Sequence, residues 1–176
     1  KVNFIRNMDI KNIIKDYPDY PKKGIIFKDM WPVLEDPKAF NFILTTFEKE
    51  FNEKIDTIIG IESRGFVFGA ALANKMKISF MPIRKKGKLP GETISRDYKL
   101  EYGSAEIEIT NKSLKNKKIL IIDDLLATGG TVEAAIKLIE SLDGTIISLG
   151  FLIELKFLKA RDTLTNYNIF SIVSYD

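Results

Sequence analysis

Four aliphatic residues in a row, Ile119-Leu120-Ile121-Ile122, run directly into two aspartates, Asp123 and Asp124, and then into Ala127-Thr128-Gly129-Gly130-Thr131. An unbroken apolar run of this length suits a strand buried on both faces, and such strands sit in parallel sheets covered by helices. Residues 131–142 then read as a helix that ends near Gly144. The same order recurs along the chain. Residues 57–61 and 78–83 read as buried strands with a helix-like stretch, 66–76, between them. Residues 145–153 and 169–173 supply two more strands. Alternation of this kind predicts an α/β fold, with a mainly parallel twisted sheet flanked by helices.

The ends of the chain and one long interruption depart from that rhythm. Residues 9–15 carry Ile10, Ile13 and Ile14 at helical spacing behind Asp9 as an N-cap, which predicts a short helix. Residues 17–24 are dense in Pro, Asp and Gly and predict turns before the apolar run Ile25-Ile26-Phe27. Asp36-Pro37 reads as N-cap and first helical position. Phe40, Ile43, Leu44, Phe47 and Phe51 share one face of the helix that follows. Residues 85–117 are polar, open with Lys-Lys-Gly-Lys-Leu-Pro-Gly-Glu, and hold only two short alternating runs near 98–101 and 105–109. They predict a hairpin or lid standing off the sheet. The whole length, 176 residues, suits one domain.

Composition removes whole classes of chemistry. The chain has no cysteine and no histidine. Disulfides, thiolate metal sites and every Ser-His or Cys-His nucleophile pair are therefore excluded, and acid–base work falls to carboxylates, Lys, Tyr or the substrate. A net charge of +3 is too small to argue for nucleic acid, and the lysine cluster at 85–88 has no aromatic platform beside it. No apolar run reaches membrane-spanning length and no signal-peptide pattern opens the chain, so the expectation is a cytoplasmic protein with neither membrane nor nucleic-acid partner.

In an open α/β sheet, ligands bind beyond the carboxyl ends of the strands. Asp123 and Asp124 stand at such an end. They either cap the next helix or accept both hydrogens of a vicinal diol and help order a divalent cation. The following turn offers two glycines, two hydroxyls and outward N–H groups at a helix N-terminus, which makes a phosphate cradle. Its spacing is that of neither a Walker A loop nor a dinucleotide fingerprint. A second strand ends the same way, in Ile59-Gly60-Ile61-Glu62-Ser63-Arg64-Gly65-Phe66. Arg64, one of five arginines, is suited to fork onto a diphosphate. Two such ends on neighbouring strands would converge on one ligand.

The block 119–131 resembles the 5-phosphoribosyl-1-pyrophosphate (PRPP) signature of type I phosphoribosyltransferases. Residues 59–66 resemble the pyrophosphate loop of that family, where a non-proline cis peptide often occurs; here it would fall at Glu62–Ser63. Three further segments resemble the adenine branch: Ile83-Arg84-Lys85-Lys86-Gly87-Lys88-Leu89-Pro90-Gly91, Leu100-Glu101-Tyr102-Gly103, and Pro21-Lys22-Lys23-Gly24-Ile25-Ile26-Phe27-Lys28-Asp29-Met30. The likeness spans residues 17–176.

The resemblance implies the type I phosphoribosyltransferase fold, with a small N-terminal hood at about 17–35 and a flexible lid at about 85–110. It implies transfer of a phosphoribosyl group from PRPP to N9 of adenine, giving AMP and pyrophosphate, in purine salvage. Asp123, Asp124, Ala127, Thr128, Gly129, Gly130 and Thr131 would hold PRPP or AMP. Glu62, Ser63, Arg64, Arg84, Lys85 and Lys88 would hold pyrophosphate, with Arg64 also serving catalysis. Ile26, Phe27 and Lys28 would hold adenine, Glu101 would act as acid–base, and Tyr102 would belong to the lid. Many relatives carry Arg where Lys28 stands, which matters little if that position acts through its backbone. Mg²⁺ would be held mainly by substrate, near Asp123 and Asp124, and the chain would form a homodimer. Two rival readings remain: transfer to another base, and a non-catalytic PRPP-binding regulator, against which Glu101 argues.

Overall fold

Residues 8–51, 54–99 and 104–176 are described by a computed structural model, and the chain divides into two compact units, Lys1–Thr46 and Phe47–Asp176. In the first unit the predicted helix at 9–15 is only a single 3-10 turn, Ile10–Asn12. Asp9 does cap it, accepting the Lys11 N–H at 3.1 Å. The chain then enters strand β1 (Lys15–Pro18), in which Pro18 disfavours helical backbone at Tyr17. β1 pairs antiparallel with β2 (Ile26–Asp29), placing Tyr17 opposite Phe27 and Asp16 opposite Lys28. A five-residue helix, α1 (Trp31–Glu35), follows, and then α2 (Pro37–Glu50). Asp36 caps α2 as expected, its Oδ1 accepting from the N–H of Lys38 at 2.8 Å. Ile43, Leu44, Phe47 and Phe51 of the expected face are buried, and Phe40 is half-buried. The unit boundary falls inside α2.

The second unit is built on β3 (Thr57–Ile61), α3 (Gly65–Met76), β4 (Ser79–Lys85), β5 (Thr93–Lys99), β6 (Ser104–Thr110), β7 (Lys118–Leu126), α4 (Gly130–Ser141), β8 (Thr145–Leu155) and β9 (Asn168–Tyr175). The strands form one sheet in the order β5-β6-β4-β3-β7-β8-β9. β4, β3, β7, β8 and β9 are mutually parallel, as the apolar runs predict. From β3 the chain first steps one way, to β4, and later the other way, to β7. The strand order therefore reverses between β3 and β7, which is where an open sheet leaves a crevice for a ligand.

Alternation along the strands separates two cores. Ile59, Ile61, Ile119, Ile121, Leu149 and Phe151 join Val132, Ala135, Ile136 and Ile139 of α4 in one buried cluster. On the other face Ile122 and Phe51 both crowd Gly150, and Ile58 lies beside Gly69 of α3. Phe47 and Phe51 stack nearly parallel there, and Phe170 meets both edge to face.

Residues 93–110 do form a hairpin, but it does not stand off the sheet. β6 pairs with β4 at Arg84↔Glu108 and Lys85↔Ile107 and extends the sheet at its edge. The reason lies in its alternation: Ile107 and Ile109 point inward and are buried in the α4-side cluster, with Ile94 and Tyr98 of β5 packed against it. The polar composition of the segment belongs to its other face and to the loop before it.

Candidate active site

β3 and β7 run in register, Gly60 opposite Ile122, and β7 continues to Leu126 after β3 stops at Ile61. Glu62-Ser63-Arg64 follow the end of β3 and meet Asp123-Asp124. The sequence suggested that these aspartates close their strand, but they are still strand residues of β7, because β7 keeps pairing with β8 to Leu126. The Arg64 Nε stands 2.9 Å from Asp124 Oδ2. The two polar segments expected to meet at one ligand do meet. The Glu62–Ser63 peptide is cis, at the place the resemblance gave.

Close approach of the two segments depends on Gly65, the first residue of α3. A Cβ there would stand 2.8 Å from Asp123 Oδ1 and 2.8 Å from the Ile122 carbonyl oxygen. Asp123 also accepts the Asp124 N–H at 2.9 Å. Burial pushes the Asp123 carboxyl well above the ordinary range, and the neighbouring Asp124 carboxylate pushes it further. Burial also raises Asp124, against the pull of the Arg64 guanidinium. Two carboxyls this close, in a poorly solvated crevice, hold on to a proton until a ligand supplies positive charge or hydroxyl donors.

α4 opens at Gly130 behind Gly129, whose φ of +89° is left-handed backbone that glycine adopts without strain. No side chain caps this helix. Its first-turn N–H groups have no intrahelical partner and are available to an anion. The α3 N-terminus, behind Arg64, also lacks a side-chain cap. At α3 the Phe66 and Val67 N–H groups are taken by the Ser63 and Arg64 carbonyls at 3.2 Å, so the open helix start at the site is that of α4, whose Thr131 lines the same cavity as Arg64.

A cavity of about 340 Å³ occupies that region. Ser63, Arg64 and Lys85 line it on the β3–β4 side, with Glu62. Asp123, Asp124, Ala127 and Thr131 line it on the β7 side. Thr128 is exposed; Gly129 and Gly130 shape the turn, and Gly130 borders a second groove with Tyr98, Arg96 and Lys137.

The structure narrows the expected pyrophosphate set. Arg84 is turned onto Glu62, with Nε and Nη2 each 3.2 Å from a carboxylate oxygen, while its Nη1 donates to the Lys88 carbonyl at 3.0 Å. The Lys85 N–H donates to Glu62 at 2.9 Å. The Arg84 guanidinium, with the Lys85 amide second, holds the Glu62 carboxyl below its usual range. Glu62 and Arg84 therefore brace the strand ends and present Lys85, rather than offering free charges. Lys88 is exposed and is not among the cavity-lining residues. Its N–H and that of Leu89 donate to the buried Glu108 carboxylate at 2.8 Å. Tyr98 was not singled out from the sequence, yet it lines the cavity from β5. The signal was present in the alternation that turns Ile94 and Tyr98 inward, but the lid reading hid it.

In the first unit, Phe27 lines a separate cavity of about 310 Å³ with Tyr17, Tyr20, Asp29 and Trp31. The Tyr20 ring meets Phe27 edge-on at 5.3 Å. Ile26 and Lys28 alternate to the other face of β2. Ile26 is 55% exposed, and Lys28 Nζ pairs with Asp16 across the ladder at 2.6 Å. The Lys28 side chain is thus engaged, which leaves only its backbone for the role expected of it. Glu101 and Tyr102 lie outside the described residues.

A mainly parallel sheet with two aspartates near the end of one central strand, an arginine just after its neighbour and an open helix start on the same crevice defines a phosphoribosyltransferase, and the phosphoribosyl transferase domain matches residues 37–174. The adenine phosphoribosyltransferase of Halothermothrix orenii is 53% identical over 168 residues, covering 94% of this chain and 99% of its own. The crystal structure of the Thermoanaerobacter pseudethanolicus adenine phosphoribosyltransferase superposes with a TM-score of 0.91 at 49% identity, over 94% of this chain and 98% of that one. The Saccharomyces cerevisiae enzyme, solved with an imino-altritol bisphosphate and adenine, gives 0.87 at 40% identity, over 93% and 96%. This chain belongs to the adenine phosphoribosyltransferases.

Proposed function

We propose that this chain carries out its family's reaction, transfer of the 5-phosphoribosyl group of PRPP to N9 of adenine, with the following division of labour. The first turn of α4, with Ala127, Thr128 and Thr131, holds the 5-phosphate. Asp123 and Asp124 accept the hydrogens of the ribose diol. Ser63, Arg64 and Lys85 face the pyrophosphate, and Glu62 and Arg84 hold Lys85 in place. The observation that carries this reading is the 2.9 Å contact between Arg64 and Asp124. It supports the reading by bringing Arg64 and Asp124 to one crevice, where a single ligand could reach both.

The aromatic cavity around Phe27 receives adenine in this reading, with Phe27 stacking on the purine and the backbone near Ile26 and Lys28 reading its edge. Glu101, in a chain without histidine, takes the proton that N9 or N7 loses. The C1–pyrophosphate bond breaks as the C1–N9 bond forms, with oxocarbenium-like charge at C1 between. Most of the rate then comes from positioning and fixed electrostatics.

Among the described residues no group of three or more carboxylates or other ligands forms a ready metal cage. The adjacent Asp123 and Asp124 fit a cation that keeps substrate oxygens and waters as most of its ligands, as Mg²⁺ does. When bound, Mg²⁺ would neutralise part of the pyrophosphate charge and improve it as a leaving group. The reading includes a homodimer and a cytoplasmic location, since phosphorylated substrates do not cross membranes unaided. No helix among the described residues is long and apolar enough to cross a membrane.

The test is AMP formation from adenine and PRPP with Mg²⁺, run beside hypoxanthine, guanine, xanthine and orotate, with the mass in solution measured by light scattering. AMP alone, from adenine alone, is expected. Product from another base would replace the acceptor, and PRPP binding without any product would turn the chain into a regulator.

A further inference from the structure

The loop assigned to the 5-phosphate rests on a second segment that the reaction itself does not use. A Cβ added to Gly129 would stand 3.3 Å from Ala160 Cβ and 3.6 Å from both Leu164 Cδ1 and Thr163 Oγ1. Ala160 and Leu164 are buried. The underside of the phosphate loop is therefore in contact with the 3-10 turn Ala160–Asp162 and the residues just after it.

That turn is short and has no side-chain cap, so its place is set from outside. Arg161 forks onto Glu154, with Nε 2.7 Å from Oε1 and Nη2 2.8 Å from Oε2, and its Nη1 donates to the Ile169 carbonyl at 3.3 Å. Glu154 is buried, with 3% of its surface exposed. In the β7–β8 register it stands opposite Leu126, the last strand residue before the loop. One ion pair thus ties together the strand partner of the loop's entry and the turn beneath its middle. A planar two-point fork fixes direction as well as distance, which a lysine cannot do.

We propose that Glu154 and Arg161 are positioning residues for the phosphate loop: they hold Ala160 against Gly129 and so aim the open N–H groups of α4 at the 5-phosphate. The proposal rests on the reading that residues 127–131 bind that phosphate. A shift of a fraction of an ångström in a preorganised anion site costs affinity for the ligand that uses it, and not for a ligand bound elsewhere.

Isothermal titration of ribose 5-phosphate and of pyrophosphate, each on the full chain, separates these cases. Arg161→Met is expected to weaken ribose 5-phosphate about tenfold while leaving pyrophosphate affinity and the KM for adenine unchanged. Arg161→Lys, which keeps charge without the fork, should fall between it and the parent. Ala160→Val leaves the ion pair intact but presses on Gly129, and should reproduce the selective loss even if Arg161→Met does not fold. Thr131→Val is the control for the loop itself. If Thr131→Val weakens ribose 5-phosphate and the Arg161 and Ala160 variants do not, the buttress is wrong and the loop assignment stands. If Thr131→Val has no effect either, the loop assignment fails and takes the buttress with it. Equal losses for both ligands in the Arg161 variants would reduce the ion pair to general stability and overturn the proposal.

Discussion

Gly65 and Asp123 meet with no space for a side chain between them. The atoms that a Cβ on Gly65 would strike are the Asp123 carboxylate, the Asp123 Cα and the Ile122 carbonyl, two of which are backbone and cannot swing away. Gly65→Ala must therefore push α3 away from β7, carrying Arg64 away from Asp124. Overpacking of this kind costs about 1–3 kcal/mol. The variant should bind PRPP far more weakly than adenine in titration calorimetry. A Gly65→Ala protein with normal PRPP affinity would mean that α3 and β7 need not touch.

The Asp123 carboxyl is expected to oppose folding stability at neutral pH. Burial and Asp124 raise its affinity for a proton in the folded chain. The stabilisation linked to that proton is full below the unfolded value, about 3.9, and is lost as pH rises through the raised folded value. Asp123→Asn removes the penalty of ionising there. Its melting temperature should exceed that of the parent, by roughly 2–4 °C for each kcal/mol relieved, and the gap should widen from acid to mildly alkaline pH. PRPP binding should be severely weakened in the same variant. A gap that is flat with pH would show that Asp123 is not the group under strain.

These relationships also mark how far the sequence could be read. The run 119–122 into Asp123 and Asp124 carried most of the fold, because a continuous apolar strand has only one kind of environment to occupy. Arg64 could be placed at the site because the polar end of residues 59–64 repeats that pattern on a neighbouring strand. The pairing of Arg84 with Glu62 was not legible. It depends on a parallel register that sets residues 22 positions apart beside each other, and a lone basic residue next to Lys85 and Lys86 reads as part of a charge cluster. The hairpin 93–110 was seen, but its inward Ile107 and Ile109 were outweighed by the charged residues between them. β1 was missed because four exposed residues, Lys15–Pro18, owe their extended form to pairing with β2 and not to burial.

Lys85 is the lysine of the 85–88 cluster that lines the cavity. Lys86 is bound to Ser95 and Glu106. Lys85→Met should weaken pyrophosphate by about tenfold at low ionic strength, with the difference shrinking as salt is added. Lys86→Met should change pyrophosphate binding little. Product-inhibition constants for pyrophosphate, measured at two salt concentrations, decide between them; equal effects of the two substitutions would return the cluster to a general electrostatic role.

Glu101 is assigned by its place in Leu100-Glu101-Tyr102-Gly103 and by the lack of any histidine to take the proton. Glu101→Gln keeps size and hydrogen bonding but cannot accept that proton. Turnover should fall by about 10²–10⁴-fold with PRPP affinity near that of the parent. Steady-state kinetics paired with PRPP titration checks both halves, and unimpaired turnover would remove Glu101 from the mechanism.

Phe27 is the sharpest test of where adenine binds, because its ring already lines a cavity walled by Tyr17, Tyr20 and Trp31. The Tyr20 edge stands against the Phe27 ring at 5.3 Å and 78°, which limits how that ring can tilt. Removing an aromatic platform from beneath a base costs about 1–3 kcal/mol, so Phe27→Ala should raise the KM for adenine roughly 5- to 150-fold. In the proposed reading PRPP occupies the other crevice, so its KM should hold. Tyr20→Leu removes the edge contact but not the platform, and should raise the adenine KM by a smaller factor in the same assay. If Phe27→Ala raises both Michaelis constants together, the ring is a packing residue of the β1–β2 ribbon and the base must be sought elsewhere.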